Sequence, residues 1–162
     1  MNVIPEAVYR IVEKRLRQRG KMIRKAEEAV ARARARATDI SMPSGAAGSG
    51  AKGGKPESRV ERAVIAIARA ERKLDKARKW ETVFRKMDEI YPAKNTNEGY
   101  VASMIYGNGM SQADLARFSG CSRQTIKMRQ DRYVIRAAFL AAQAGLIREE
   151  VTEEDGSTDQ KE

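Results

Sequence analysis

Two stretches, Glu6 to Ala37 and Ser58 to Tyr91, contain no proline and a single glycine, Gly20, and in both the apolar side chains return every three or four residues. Helical periodicity held over that length leaves long amphipathic helices as the natural reading. In the first stretch Val8, Ile11, Val12, Leu16, Ile23, Ala26, Val30, Ala33 and Ala37 make the apolar stripe. Pro5 suits its first turn, where the missing N–H is not needed. In the second, the stripe is Val60, Ala63, Val64, Ile67, Ala70, Leu74, Ala77, Phe84, Met87 and Ile90; Ser58 and Glu61 form a capping box at its start and Pro92 ends it. At 1.5 Å per residue each helix is roughly 45–50 Å long. Joined by a pliable loop, the two should fold as an antiparallel hairpin. The stripe is narrow and rich in alanine, with Trp80 at its edge, so a second copy or the C-terminal region is expected to complete the interface.

Between Thr38 and Pro56 the composition shifts to Ser, Gly, Ala and Pro, which bury too little apolar surface to offset ordering entropy. A mobile loop is expected there. The run Gly48 to Lys55 is not a nucleotide-binding loop: the glycine spacing is wrong, Pro56 stands where Ser or Thr is required, and no strand precedes it.

The chain has 162 residues, 33% of them charged and 6% aromatic, which fits an extended, helix-rich molecule better than a large globular core. Its formal net charge of +10 calls for a polyanionic partner. A membrane surface is the competing polyanion, but no apolar run is long enough to span a bilayer or act as a signal peptide, so a cytoplasmic protein is expected. The first helix carries Arg10, Lys14, Arg15, Arg17, Arg19, Lys21, Arg24, Lys25, Arg32, Arg34 and Arg36 opposite its stripe. This row reads first as a solvated face and second as a DNA surface. One cysteine and no histidine leave neither an internal disulfide nor a credible metal site. With no catalytic constellation and no cofactor motif, the expectation is a protein that is not an enzyme and needs no cofactor.

The segment that carries a function is Ser111 to Asp131. Ser111 caps a helix from about Gln112, with Asp114 three positions on to bond back to the Ser111 amide. Leu115 points inward, and Ala116 is small enough to let a second helix cross close. Gly120 permits the positive φ of a tight turn, Cys121 belongs to the core, Ser122 is a second N-cap, and Ile126 faces back onto the first helix. This is the layout of a helix-turn-helix DNA reader. Arg123, Gln124, Lys127 and Met128 then lie where such a helix meets base edges, Arg being suited to guanine and Gln to adenine. Ser111, Ser122, Arg129, Arg132 and Arg136 are placed to reach phosphates. Ser119 and Arg129 stand where most such units carry apolar side chains. A plain helical hairpin with basic surface residues is the competing reading.

A helix from Asn95 or Thr96 through Tyr106 adds a third member to this head. The helix from Arg123 should run to Ala144, where Gly145 stops it, and its nearly apolar second half from Ile135 must be buried. Beyond Ile147 the chain turns acidic and is expected to be disordered.

This order of parts resembles the small phage regulators of the ArpU/RinA type, whose C-terminal head is similar to region 4 of bacterial sigma factors. The resemblance rests on the basic N-terminal helix, the Thr38 to Lys55 loop ending in Gly-Gly-Lys, the helix opening Ser58-Arg-Val-Glu-Arg-Ala, the Tyr91-Pro92 break and Tyr106-Gly-Asn-Gly-Met-Ser-Gln-Ala-Asp-Leu-Ala. It implies activation of phage structural or late genes in a bacterial host, with Arg123, Gln124, Lys127 and Met128 toward the bases. The apolar extension from Ile135 to Ile147 departs from the short ending associated with that family. Two other readings remain open at this point: a phage small terminase subunit marking DNA for packaging, and a helical interaction or scaffold protein.

The sequence thus predicts an all-α protein: a helical hairpin over 1–92 with a loop at about 38–56, a helix-turn-helix domain over 95–147 with an extended last helix, and an acidic tail over 148–162. The expected partners are double-stranded DNA, RNA polymerase by the resemblance, and a second copy of the chain, with a dimer favoured over larger assemblies.

Overall fold

A computed structural model describes residues 3–40 and 58–156, and among these there is no strand. Of the loop expected over about 38–56, Thr38 to Ile40 are still helical, and the rest lies outside the described residues, as does the end of the chain from 157. Six α-helices follow in order: α1 (Glu6–Ile40), α2 (Arg59–Ile90), α3 (Asn97–Ala102), α4 (Gln112–Ser119), α5 (Arg123–Gln143) and α6 (Leu146–Gly156). A π-helical turn, Ser103–Gly107, continues α3. No helix among the described residues is long and apolar enough to cross a membrane, and none of their His, Cys, Asp and Glu side chains form a group of three that could hold a metal.

The helix boundaries follow local chemistry. At the start of α2 the Ser58 amide donates to Glu61 Oε2 and the Glu61 amide to Ser58 Oγ, both at 3.1 Å, a complete capping box. Thr96, Ser111 and Ser122 cap α3, α4 and α5 by accepting from the amides of Gly99, Asp114 and Thr125. Gly145, with φ 76°, follows the end of α5, the left-handed position at which a helix stops. At Gly99 the constraint is space rather than dihedral angle. A Cβ there would sit 2.2 Å from the Tyr91 carbonyl oxygen, so only glycine lets α3 lie against the end of α2.

The described chain divides into two compact units, 3–20 with 79–156 and 21–40 with 58–78. Both long helices are shared between the units. In the first unit Ile11, Val12 and Leu16 of α1, Trp80, Val83, Phe84 and Met87 of α2, Val134, Ala137 and Ala141 of α5, and Leu146 of α6 are buried. Trp80, expected at the edge of a stripe, has no exposure at all; its ring lies 5.6 Å from that of Phe84 and its Nε1 donates to Glu150 at 3.2 Å.

That last contact corrects a second expectation. The acidic segment from 148 is helical as far as Gly156, and Glu150 is buried, holding Arg15 Nε at 2.8 Å as well as Trp80. A buried carboxylate is tolerable because it is paired and hydrogen-bonded.

In the second unit Met22 and Val30 of α1 and Ala70 and Ala77 of α2 are buried, and Arg34 holds Glu71 at 2.8 Å. The α2 stripe fails here at its beginning: Val60 is 62% and Val64 60% exposed. The last turns of α1 offer the half-buried Ala33 and Ala37, which are too short to cover two valines. The largest fully buried side chains all lie in the first unit. At about 1.5–3 kcal/mol for each such residue, the stabilisation is concentrated there.

Candidate nucleic-acid interface

The site is built on α3, α4 and α5, whose common core is Val101, Ile105, Leu115 and Ile126. Tyr100, Met104, Tyr106, Met110, Ala116 and Cys121 pack around it half-buried. Leu115 and Ile126 therefore face each other between α4 and α5, as their spacing predicts, and Gly120 turns the chain between them at φ 67°. Ser111 differs in one detail from expectation. Its hydroxyl accepts from the Asp114 amide, but Asp114 Oδ2 takes the hydroxyl proton at 2.6 Å instead of the Ser111 amide, because the shorter acid does not reach back.

The four residues expected toward bases are all exposed: Arg123, Gln124, Lys127 and Met128, the last at 46%. Arg123 and Lys127 are one turn apart, as are Gln124 and Met128, so they form two adjacent rows at the start of α5. No carboxylate among the described residues pairs with Arg123 or Lys127, which leaves both cations open to an incoming anion or base edge. Phe118, at the end of α4, is 70% exposed, which its helical spacing alone does not signal.

The residues expected toward phosphates divide. Arg136 is exposed on α5, one turn beyond Arg132. Arg132 is exposed but already holds Glu98 at 3.4 Å. Arg129 is half-buried, with Nη1 3.9 Å from Cys121 Sγ, so its stem covers the turn between the two helices. Ser111 and Ser122 spend their hydroxyls on capping, while both remain exposed at helix starts. Ser119 resolves its misfit by donating to the Leu115 carbonyl at 2.7 Å.

The orientation of α5 is fixed by a polar network that periodicity did not disclose. Gln130 is buried; its Nε2 donates to the Tyr106 hydroxyl at 2.7 Å and to Glu13 Oε1 at 2.9 Å, and its Oε1 accepts from Gln112 Nε2 at 2.6 Å. The Tyr106 hydroxyl completes the set by donating to Glu13 at 3.0 Å. Thus α1, the π turn, α4 and α5 meet in one hydrogen-bonded cluster, and no buried side-chain polar atom among the described residues lacks a partner. Burial first, then the Glu13 carboxylate, push the Tyr106 phenol well above its ordinary range, with the Gln130 donor opposing. It stays protonated and able to donate.

No protein-family model, curated protein or solved structure matches this chain. The likeness to the ArpU/RinA-type regulators therefore rests on the residues quoted for it.

Proposed function

We propose that the protein is a sequence-specific DNA-binding regulator of transcription without enzymatic activity, in which α4 and α5 are a helix-turn-helix and α5 enters the major groove. The single observation that carries this reading is the exposed, carboxylate-free start of α5, with Arg123, Gln124, Lys127 and Met128 in two rows on a helix held by a buried network. A base reader needs both properties, free donors at the contact and a rigid mount behind them. Arg136 and Arg132 supply backbone contacts further along, the latter by exchanging Glu98 for a phosphate. On the resemblance drawn from the sequence, the regulator is a phage late-gene activator working in the host cytoplasm with RNA polymerase, and the long α1–α2 hairpin carries the head. Exposed Val60, Val64 and Ile65 favour a homodimer that covers them.

The reading is tested by anisotropy binding to duplex fragments tiled across the source genome, with assembly mass measured by light scattering on the same samples. One fragment bound at least about a thousandfold more tightly than the rest is expected, lying before a promoter. Tight binding beside packaging genes by a ring of many copies would assign the protein to DNA packaging instead. Uniform weak binding to every fragment would remove base reading.

A further inference from the structure

We propose that the groove between the second half of α1 and the first half of α2 is a separate contact for double-stranded DNA, gripping the phosphodiester backbone without reading bases. The inference is independent of the role given to α5. The groove has an open volume of about 610 Å³ and is lined by Arg32 and Arg36 of α1 and by Arg59, Arg62, Arg69 and Lys73 of α2, over a floor of alanines; no acidic side chain lines it.

The charges of this unit are sorted rather than mixed. Glu27, Glu71 and Asp75 line a different hollow with Arg34 and Arg78, where Glu71 already holds Arg34. Among the described residues Arg36, Arg59, Arg62, Arg69 and Lys73 make no ion pair, and Arg32 has only Glu28 at 4.0 Å. A face meant only for solubility intersperses both signs. Holding this many like charges together along one concavity costs repulsion, which a polyanion relieves.

The extent of the row suits a polyanionic strand. Arg59 to Lys73 covers roughly 21 Å of helix, long enough for its cations to meet several phosphates of a duplex that carries a charge about every 1.7 Å of its axis. Ala33, Ala63 and Ala66 keep the floor low, so the arginines rather than bulky neighbours meet the strand. The groove, with six cations along an open volume of about 610 Å³, is larger than a single small anion would fill.

The test measures affinity for a random-sequence duplex over a salt series, using the full chain. The groove variant Arg36→Gln/Arg62→Gln/Arg69→Gln is compared with Lys21→Gln/Lys25→Gln/Arg72→Gln, which removes the same charge elsewhere in the unit; circular dichroism checks that both remain helical. Each phosphate contact adds about 0.9 to the slope of log affinity against log salt. The groove variant is expected to lower that slope by about 2–3 and weaken all sequences alike, the control by less than about 1. Single variants Arg62→Gln and Arg69→Gln, each lowering it by about 0.9, keep the test valid if the triple variant does not fold. Equal slopes for groove variant and control overturn the proposal. So does a groove variant that alters self-association in light scattering at unchanged slope, since the occupant would then be the acidic C-terminus of a second copy. A chain without base preference whose slope still falls as expected would sink the reading of α5 and uphold the groove.

Discussion

The Tyr9 hydroxyl donates to Asp131 Oδ1 at 2.7 Å, tying the first turns of α1 to the middle of α5 across 122 positions of sequence. One turn along α1, Glu13 meets Gln130 and Tyr106. The N-terminal helix is therefore a brace for α5. Tyr9→Phe removes the bond while keeping the ring, and should cost about 1–2 kcal/mol, since the acceptor is a carboxylate and the site is half-buried. The urea midpoint measures it; an unchanged midpoint would mean that the contact carries no stability.

Glu150 is a stronger case. Truncation to alanine removes the buried carboxylate that accepts from both Arg15 Nε and the Trp80 N–H. Breaking a buried pair on one side costs about 3–5 kcal/mol; with Arg15 one-fifth exposed, about 2–4 kcal/mol is expected. Glu150→Ala should lower the melting temperature by several degrees and alter Trp80 fluorescence, whereas Glu149→Ala, at an exposed position, should do neither.

Three phenols set the alkaline limit. Burial, then the Asp131 acceptor and its charge, hold Tyr9 well above the ordinary tyrosine range; burial and Glu13 do so for Tyr106; and burial and Asp88 push Tyr133 up to about 12. The fold favours the protonated phenol, so this contribution is complete below the unfolded value of about 10 and is lost as pH rises through the folded values. Stability should hold to about pH 10 and fall steadily above it. The chain contains no histidine to add a transition near neutrality. Denaturation midpoints across the alkaline range, with phenolate absorbance at 295 nm recorded in parallel, test both parts.

Because the large buried side chains lie within 3–20 and 79–156, amides of 21–40 and 58–78 should open at a lower free energy. Native-state hydrogen exchange in low denaturant should release the second unit first. Equal protection in both would contradict this distribution of stability.

What could be read from the sequence and what could not separate by range. The starts of α2, α4 and α5 and the turn at Gly120 depend on bonds spanning three or four residues, and Ser58, Ser111, Ser122 and Gly120 announce them. The exposed row from Arg123 to Met128 follows from the same local pattern. Trp80 and Glu150 depart from expectation because their contact joins positions 70 apart, and an acidic composition says nothing about one glutamate that finds an arginine. Gln130 is hidden for a similar reason: its partners come from α1, the π turn and α4, and nothing near it in sequence marks it as buried. Val60 and Val64 carry the helical period and the alanine-rich stripe of α1 is legible, yet period alone does not say which end of the seam stays uncovered.

The central claim, that the start of α5 reads bases, is tested most directly by selecting preferred sites from a randomised duplex pool with the wild-type chain and with Arg123→Ala. The account predicts one enriched motif for the wild type. In Arg123→Ala the preference at a single position, expected to be guanine, should relax by about 1–3 kcal/mol, while Arg136→Ala weakens all sites alike. Absence of an enriched motif in the wild type, or an identical motif after Arg123→Ala, would contradict it.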